Sequence, residues 1–81
     1  MLLTVNFYSY FKELTGCAQT VQEAPEGASL DTLFKALGER FPKLAPMERC
    51  ALMAVGVEYQ PRDYTLKAGD EISLFPPVQG G

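Results

Sequence analysis

Ser29-Leu30-Asp31-Thr32-Leu33-Phe34-Lys35-Ala36-Leu37-Gly38-Glu39-Arg40-Phe41-Pro42 carries the clearest helical period of this 81-residue chain. Leu30, Leu33, Phe34, Leu37 and Phe41 recur at i, i+3, i+4, i+7 and i+11 and so share one face of a helix. Ser29 is a good N-cap, Asp31 suits the positive end of the helix dipole, and Pro42 stops the element. Gly38 costs about 1 kcal/mol relative to Ala inside a helix, so it marks either close packing or tolerated slack.

Working outward, the flanking segments read as strands. Leu3, Val5 and Phe7 alternate with Thr4, Asn6 and Tyr8, the period of a half-buried strand. Tyr10 to Gly16 reads as a short helical turn closed by glycine. A second strand is expected from Ala18 to Glu23, with Val21 as its apolar anchor, before the turn Pro25-Glu26-Gly27. After a connector containing Pro46, Ala51 to Val57 is apolar on both faces, as a central strand would be. Gly56 suggests a bend or a turn there. Pro61 restricts Tyr59 to Leu66 to short edge-type strands. Ala68-Gly69-Asp70 turns the chain into a final strand, Glu71 to Phe75, ended by Pro76-Pro77.

The order strand, strand, helix, strand, short strand, strand predicts an α+β fold. One helix lies across one face of a mixed sheet of about five strands, the β-grasp arrangement used by ubiquitin. The first and last strands are then neighbours in the middle of the sheet. Residues 1–81 form a single domain, with 76–81 as an extended C-terminal tail.

Composition narrows the function. The 47% hydrophobic and 21% charged fractions are those of a globular chain. No apolar stretch approaches the roughly 20 residues of a membrane span. Met1 to Val5 carries no basic leader and no small-residue cleavage site, so no signal peptide is expected and the cytoplasm is the expected compartment. Ten acidic against seven basic residues give a net charge of −3, which argues against nucleic acid and for steering towards basic partners. Cys17 and Cys50 stand alone and histidine is absent. A metal centre with about four such ligands is therefore not expected, and the cysteines read as free thiols.

Strand alternation also selects an outer surface. With Leu3, Val5 and Phe7 towards the helix, Tyr8 points away; with Ile72 and Leu74 inward, Phe75 shares the outer face. Tyr59, beside a turn, is a third aromatic without a core role. Together Tyr8, Tyr59 and Phe75 would make an apolar patch at the root of the tail, suited to a protein partner.

The chain finishes Phe75-Pro76-Pro77-Val78-Gln79-Gly80-Gly81. At about 7% glycine, a terminal pair arises by chance in roughly one chain in 200, and without Cβ atoms it can thread a channel closed to other residues. This ending resembles the Phe-Pro-Pro-Val-x-Gly-Gly terminus of the sulfur-carrier subunits of molybdopterin synthase, a ubiquitin-like β-grasp family. Phe11 to Gly16, Leu52 to Val55 and Ala68 to Ile72 match the family as well. One departure is Gly56, where relatives commonly carry Asn, followed by Val57 rather than glycine; it leaves the geometry of that hairpin open.

The resemblance implies a role for each tail residue. Gly81 would carry the reacting carboxylate, first adenylated and then converted to a thiocarboxylate, and Gly80 would keep the tail narrow. Pro76, Pro77, Val78 and Gln79 would contact the partner together with Tyr8, Tyr59 and Phe75. The implied partners are the large catalytic subunit, an adenylyltransferase resembling ubiquitin-activating enzymes, and a sulfur donor protein. ATP would be used by the activating partner, and no cofactor would be bound by this chain. Consistent with that, the sequence holds no nucleophile–base pair and no phosphate-cradling loop, so it reads as a carrier and not as an enzyme on its own. Sulfur carriage for thiamine or tRNA, a ubiquitin-like protein modifier, and a β-grasp interaction module with an inert tail are the alternatives.

Overall fold

Strand pairing begins at the second residue. The computed structural model describes residues 1–77; β1 (Leu2–Phe7) and β2 (Gln19–Glu23) flank a short helix α1 (Phe11–Thr15). Helix α2 (Leu30–Arg40) and a 3₁₀ helix (Pro42–Met47) follow, then β3 (Leu52–Val55), β4 (Glu58–Tyr59) and β5 (Glu71–Phe75). The sheet order is β2-β1-β5-β3-β4, with β1 and β5 parallel and the other pairs antiparallel. This is the expected β-grasp architecture, and the terminal strands are neighbours with β5 in the centre.

Leu3, Val5, Phe7, Ile72 and Leu74 are buried on one side of the sheet, and Leu30, Leu33, Phe34 and Leu37 of α2 are buried with them in one core. Ser29 Oγ accepts the Thr32 amide at 3.2 Å, fulfilling the cap. Phe41 lies one residue beyond α2 and is only half-buried, its ring meeting Phe7 edge-on at 5.7 Å. Gly38 marks close packing: a Cβ there would stand 3.4 Å from Cβ of Ala45. The Pro46 connector is not a plain loop. Its 3₁₀ turn buries Leu44 completely and brings Ala45 against α2.

Two expectations need correction. Val21 is not an anchor: it is 51% exposed, because its register with Thr4 puts it on the outer face. The inward positions of β2 are Thr20 and Gln22, and Arg40 covers them. Its guanidinium donates to Thr20 Oγ1, Gln22 Oε1 and the Val21 carbonyl at 2.8–2.9 Å. The strand expected over 51–57 spans only Leu52–Val55, and Val57 is 98% exposed at a hairpin tip. Gly56 has φ +63° and Val57 does not have a positive φ. That is the sign pattern of a type II′ turn, which places glycine first and needs no second one. Val55 and Glu58 pair across it, so the Gly56-Val57 departure closes a regular hairpin.

The start of α2 is held by the loop after β4. Leu30 and Asp31 amides donate to the carbonyls of Tyr64 and Arg62. Arg62 in turn donates through Nε to Asp31 at 3.0 Å and through Nη1 to the Glu48 carbonyl, with its guanidinium over the Phe34 ring. The hydrogen bond from Lys35 chiefly, with Arg62 adding to it against some desolvation, holds the Asp31 carboxyl below its ordinary value of 3.8. A folded-state value below the unfolded one contributes stability that is complete above that ordinary value and lost as pH falls through the lowered one. Asp31→Asn should therefore flatten the acid limb of the stability profile below about pH 4. Thermal melts followed down to about pH 2 check this, and an unchanged slope would remove Asp31 from the account.

Candidate functional site

Among the described residues the outer face of the sheet carries no second layer, and its central strand leads directly to Pro76 and Pro77. Tyr8 follows the last residue of β1 and its amide donates to the Leu74 carbonyl at 3.2 Å, extending the β1–β5 pairing by one step. Ser9 then takes φ +57°, a left-handed turn no glycine signals, and the chain reverses into α1. That placement lays the Tyr8 ring flat on Phe75, with centroids 4.6 Å apart and planes 9° from parallel. Tyr59 meets the same Phe75 ring edge-on at 6.0 Å. Such ring pairs contribute about 0.5–1.5 kcal/mol beyond area burial. The structure thus brings Tyr8, Tyr59 and Phe75 together, with Tyr59 66% exposed and Phe75 partly covered between its neighbours.

Leu52 belongs to the same surface and was missed in the sequence. It pairs with Phe75 across the β3–β5 ladder and is 36% exposed. Only the register, set by contacts between distant segments, reveals it. Ala54 and Ser73 also face outward by parity and pair with each other, yet both are buried between the flanking side chains. Further along the face, Gln19 Nε2 donates to Asn6 Oδ1 at 2.8 Å and Asn6 Nδ2 donates to Glu71 Oε2 at 2.6 Å.

Pro76 and Pro77 are half-exposed and carry no strand structure, as residues without an amide hydrogen require at the end of a ladder. The expectations for Val78, Gln79, Gly80 and Gly81 lie outside the described residues. Cys17 and Cys50 are free and half-buried, one beside Thr15 and the other against the Met47 carbonyl. Among the described residues no cluster of three His, Cys, Asp or Glu could hold a metal ion, and no helix is long and apolar enough to cross a membrane. A groove of about 330 Å³ between α2 and the 3₁₀ helix, floored by Phe34, Gly38 and Ala45, contains none of the predicted site residues.

The model of the ThiS family matches residues 5–81. The chain belongs to the ThiS family. Among relatives of this ThiS-family chain is the molybdopterin synthase sulfur carrier subunit of Haemophilus influenzae, 32% identical over 82 residues covering 99% of the chain and 100% of that subunit. A solved complex of subunits 1 and 2 of the molybdopterin-converting factor from Helicobacter pylori contains a chain 27% identical, with TM-score 0.70 and both chains fully covered. The crystal structure of SAMP1 from Haloferax volcanii superposes over the whole of both chains with TM-score 0.86 at 22% identity, a likeness of fold alone.

Proposed function

We propose that this chain is the sulfur carrier of a molybdopterin synthase. The observation that carries the reading is the continuity of the central strand with the tail. β5 passes through Phe75, where Tyr8 and Tyr59 converge, directly into the Pro76-Pro77-Val78-Gln79-Gly80-Gly81 sequence. A rigid sheet holds the root, the aromatic surface beside it docks a partner, and the last two glycines enter a narrow active site. The carrier role of the molybdopterin synthase relatives supports the same assignment.

The chemistry follows from the terminal carboxylate. A free α-carboxylate is ionised at neutral pH and is a poor electrophile. An activating enzyme therefore joins its oxygen to the α-phosphorus of ATP, expelling pyrophosphate and leaving an acyl adenylate at Gly81. A sulfide equivalent (HS⁻) released by a donor protein attacks the acyl carbon, the C–O bond to AMP breaks and AMP departs, and loss of the S–H proton leaves a thiocarboxylate. The loaded tail then enters the large subunit and gives its sulfur to a pterin precursor. ATP and pterin are bound by the partners, and this chain contributes the reagent and its delivery. Delivery is thus separated from catalysis.

The intact mass of chain produced with its activating enzyme tests the assignment. A species heavier by one oxygen-to-sulfur exchange, mapped to Gly81, is the expected result. Higher-mass conjugates on a denaturing gel would instead make it a protein modifier, and an unchanged mass under full activation would leave an interaction module.

A further inference from the structure

The seven basic residues all lie outside the sheet, in helices and loops; the only charged residues in the strands are Glu23, Glu58 and Glu71. Glu58 pairs with inward-facing Val55, so the outer face presents Glu23 at the β2 edge and Glu71 on the central strand, without a cation in any strand. Glu71 is held in place. Asn6, one strand away, donates to it, and Gln19 fixes Asn6 in turn, making a polar ladder across three strands. An ionised carboxylate accepts about four hydrogen bonds, so most of its capacity faces outward unused.

A protein interface of ordinary size centred on Phe75 extends to Glu71. Glu71 and Phe75 are four residues apart on one strand, about 13 Å at the usual rise. A specific interface covers about 800 Å² per partner, a disc of roughly 16 Å radius. Centred on Phe75, such a disc covers Glu71. Asn6 alone, a neutral donor, does not offset the loss of water around a carboxylate, and an unpaired buried charge is strongly unfavourable.

We propose that the outer sheet face is a two-part docking surface for the large subunit. The cluster of Tyr8, Tyr59, Phe75 and Leu52 seats an apolar ridge, and Glu71 receives an arginine or lysine of the same partner. This rests on the carrier reading, because that reading makes the aromatic cluster the docking centre. The ladder sets orientation: an apolar ridge seated on the rings in reverse would leave Glu71 desolvated without a cation, so only one rotation of the partner satisfies both zones.

Titration calorimetry of the full chain against its own large subunit, at several salt concentrations, tests this with three variants. Glu71→Gln keeps an acceptor for Asn6 and should weaken binding about 30-fold while flattening its salt dependence, as loss of one partner of a desolvated charge pair does. Glu71→Lys should weaken it further, and Tyr59→Ala should weaken binding without changing the salt slope. Thermal melts of each variant verify that it is folded. If Tyr59→Ala weakens binding but both Glu71 variants bind within threefold of the parent, the cation contact is overturned while the docking centre stands. If all three bind like the parent, the face is not the interface and the docking part of the carrier reading falls with it.

Discussion

A Gly81→Trp chain should melt like the parent and transfer sulfur at least about 100-fold more slowly, the scale on which small misplacements of a reacting group act. The two halves of that expectation have separate origins. Among the described residues the buried core runs from Leu3 to Leu74, so an exchange at residue 81 replaces none of its members. Substitutions of that kind usually stay within about 0.5 kcal/mol. The proposed reaction, in contrast, takes place at the carbon next to the new side chain. On that proposal adenylation and sulfur transfer both require the carbon to reach a partner's active site, and a Cβ with an indole on it closes an approach that glycine leaves open. Single-turnover conversion of the pterin precursor with the large subunit measures the loss, and the intact mass after activation shows which of the two steps is blocked. Transfer within threefold of the parent would show that Gly81 does not carry the reagent.

The parts of this molecule legible in the sequence are those decided by local chemistry. Ser29 caps α2 because its hydroxyl reaches the Thr32 amide three residues on, and the spacing of Leu30, Leu33, Phe34 and Leu37 selects the buried face of any helix formed there. The outward direction of Tyr8 and Phe75 follows from counting residues along a strand. Failures occur where a distant segment changes the meaning of a residue. Val21 is the only apolar side chain in β2, yet it faces solvent, because Arg40 from the end of α2 makes Thr20 and Gln22 acceptable on the inner face. Leu44 sits between two prolines in a segment without periodicity, and only the 3₁₀ turn beneath α2 gives it a core position. Leu52 joins the aromatic surface through a register with Phe75, and Asn6 meets Glu71 across 65 residues of sequence. The candidate site was therefore visible as three rings and a tail, while the polar half of the surface was not.

Phe7→Ala should cost the domain about 3–5 kcal/mol, the largest stability loss expected from any exchange at the first strand. Phe7 is 1% exposed, pairs with Leu74 in the centre of the sheet, and meets the Phe41 ring edge-on. Truncation would remove the ring and leave a cavity beneath α2, because the strand on either side is fixed by its ladder to β5 and β2. Domains of this size have little stability in reserve, so the variant should be partly unfolded at physiological temperature. Phe75→Ala supplies the contrast. Its ring lies on the opposite face one register step away, exposed enough that its removal should cost the fold about 1 kcal/mol, mainly the ring pairs with Tyr8 and Tyr59. Urea titrations of the two variants separate them, and affinity for the large subunit should reverse the order, with folded Phe75→Ala binding poorly. Equal stability losses would mean that the two faces of the sheet are not divided between core and dock. The division has a physical basis: β5 is covered by α2 on one side and, among the described residues, by no layer on the other, so alternate residues of one strand are available to the fold and to the proposed partner.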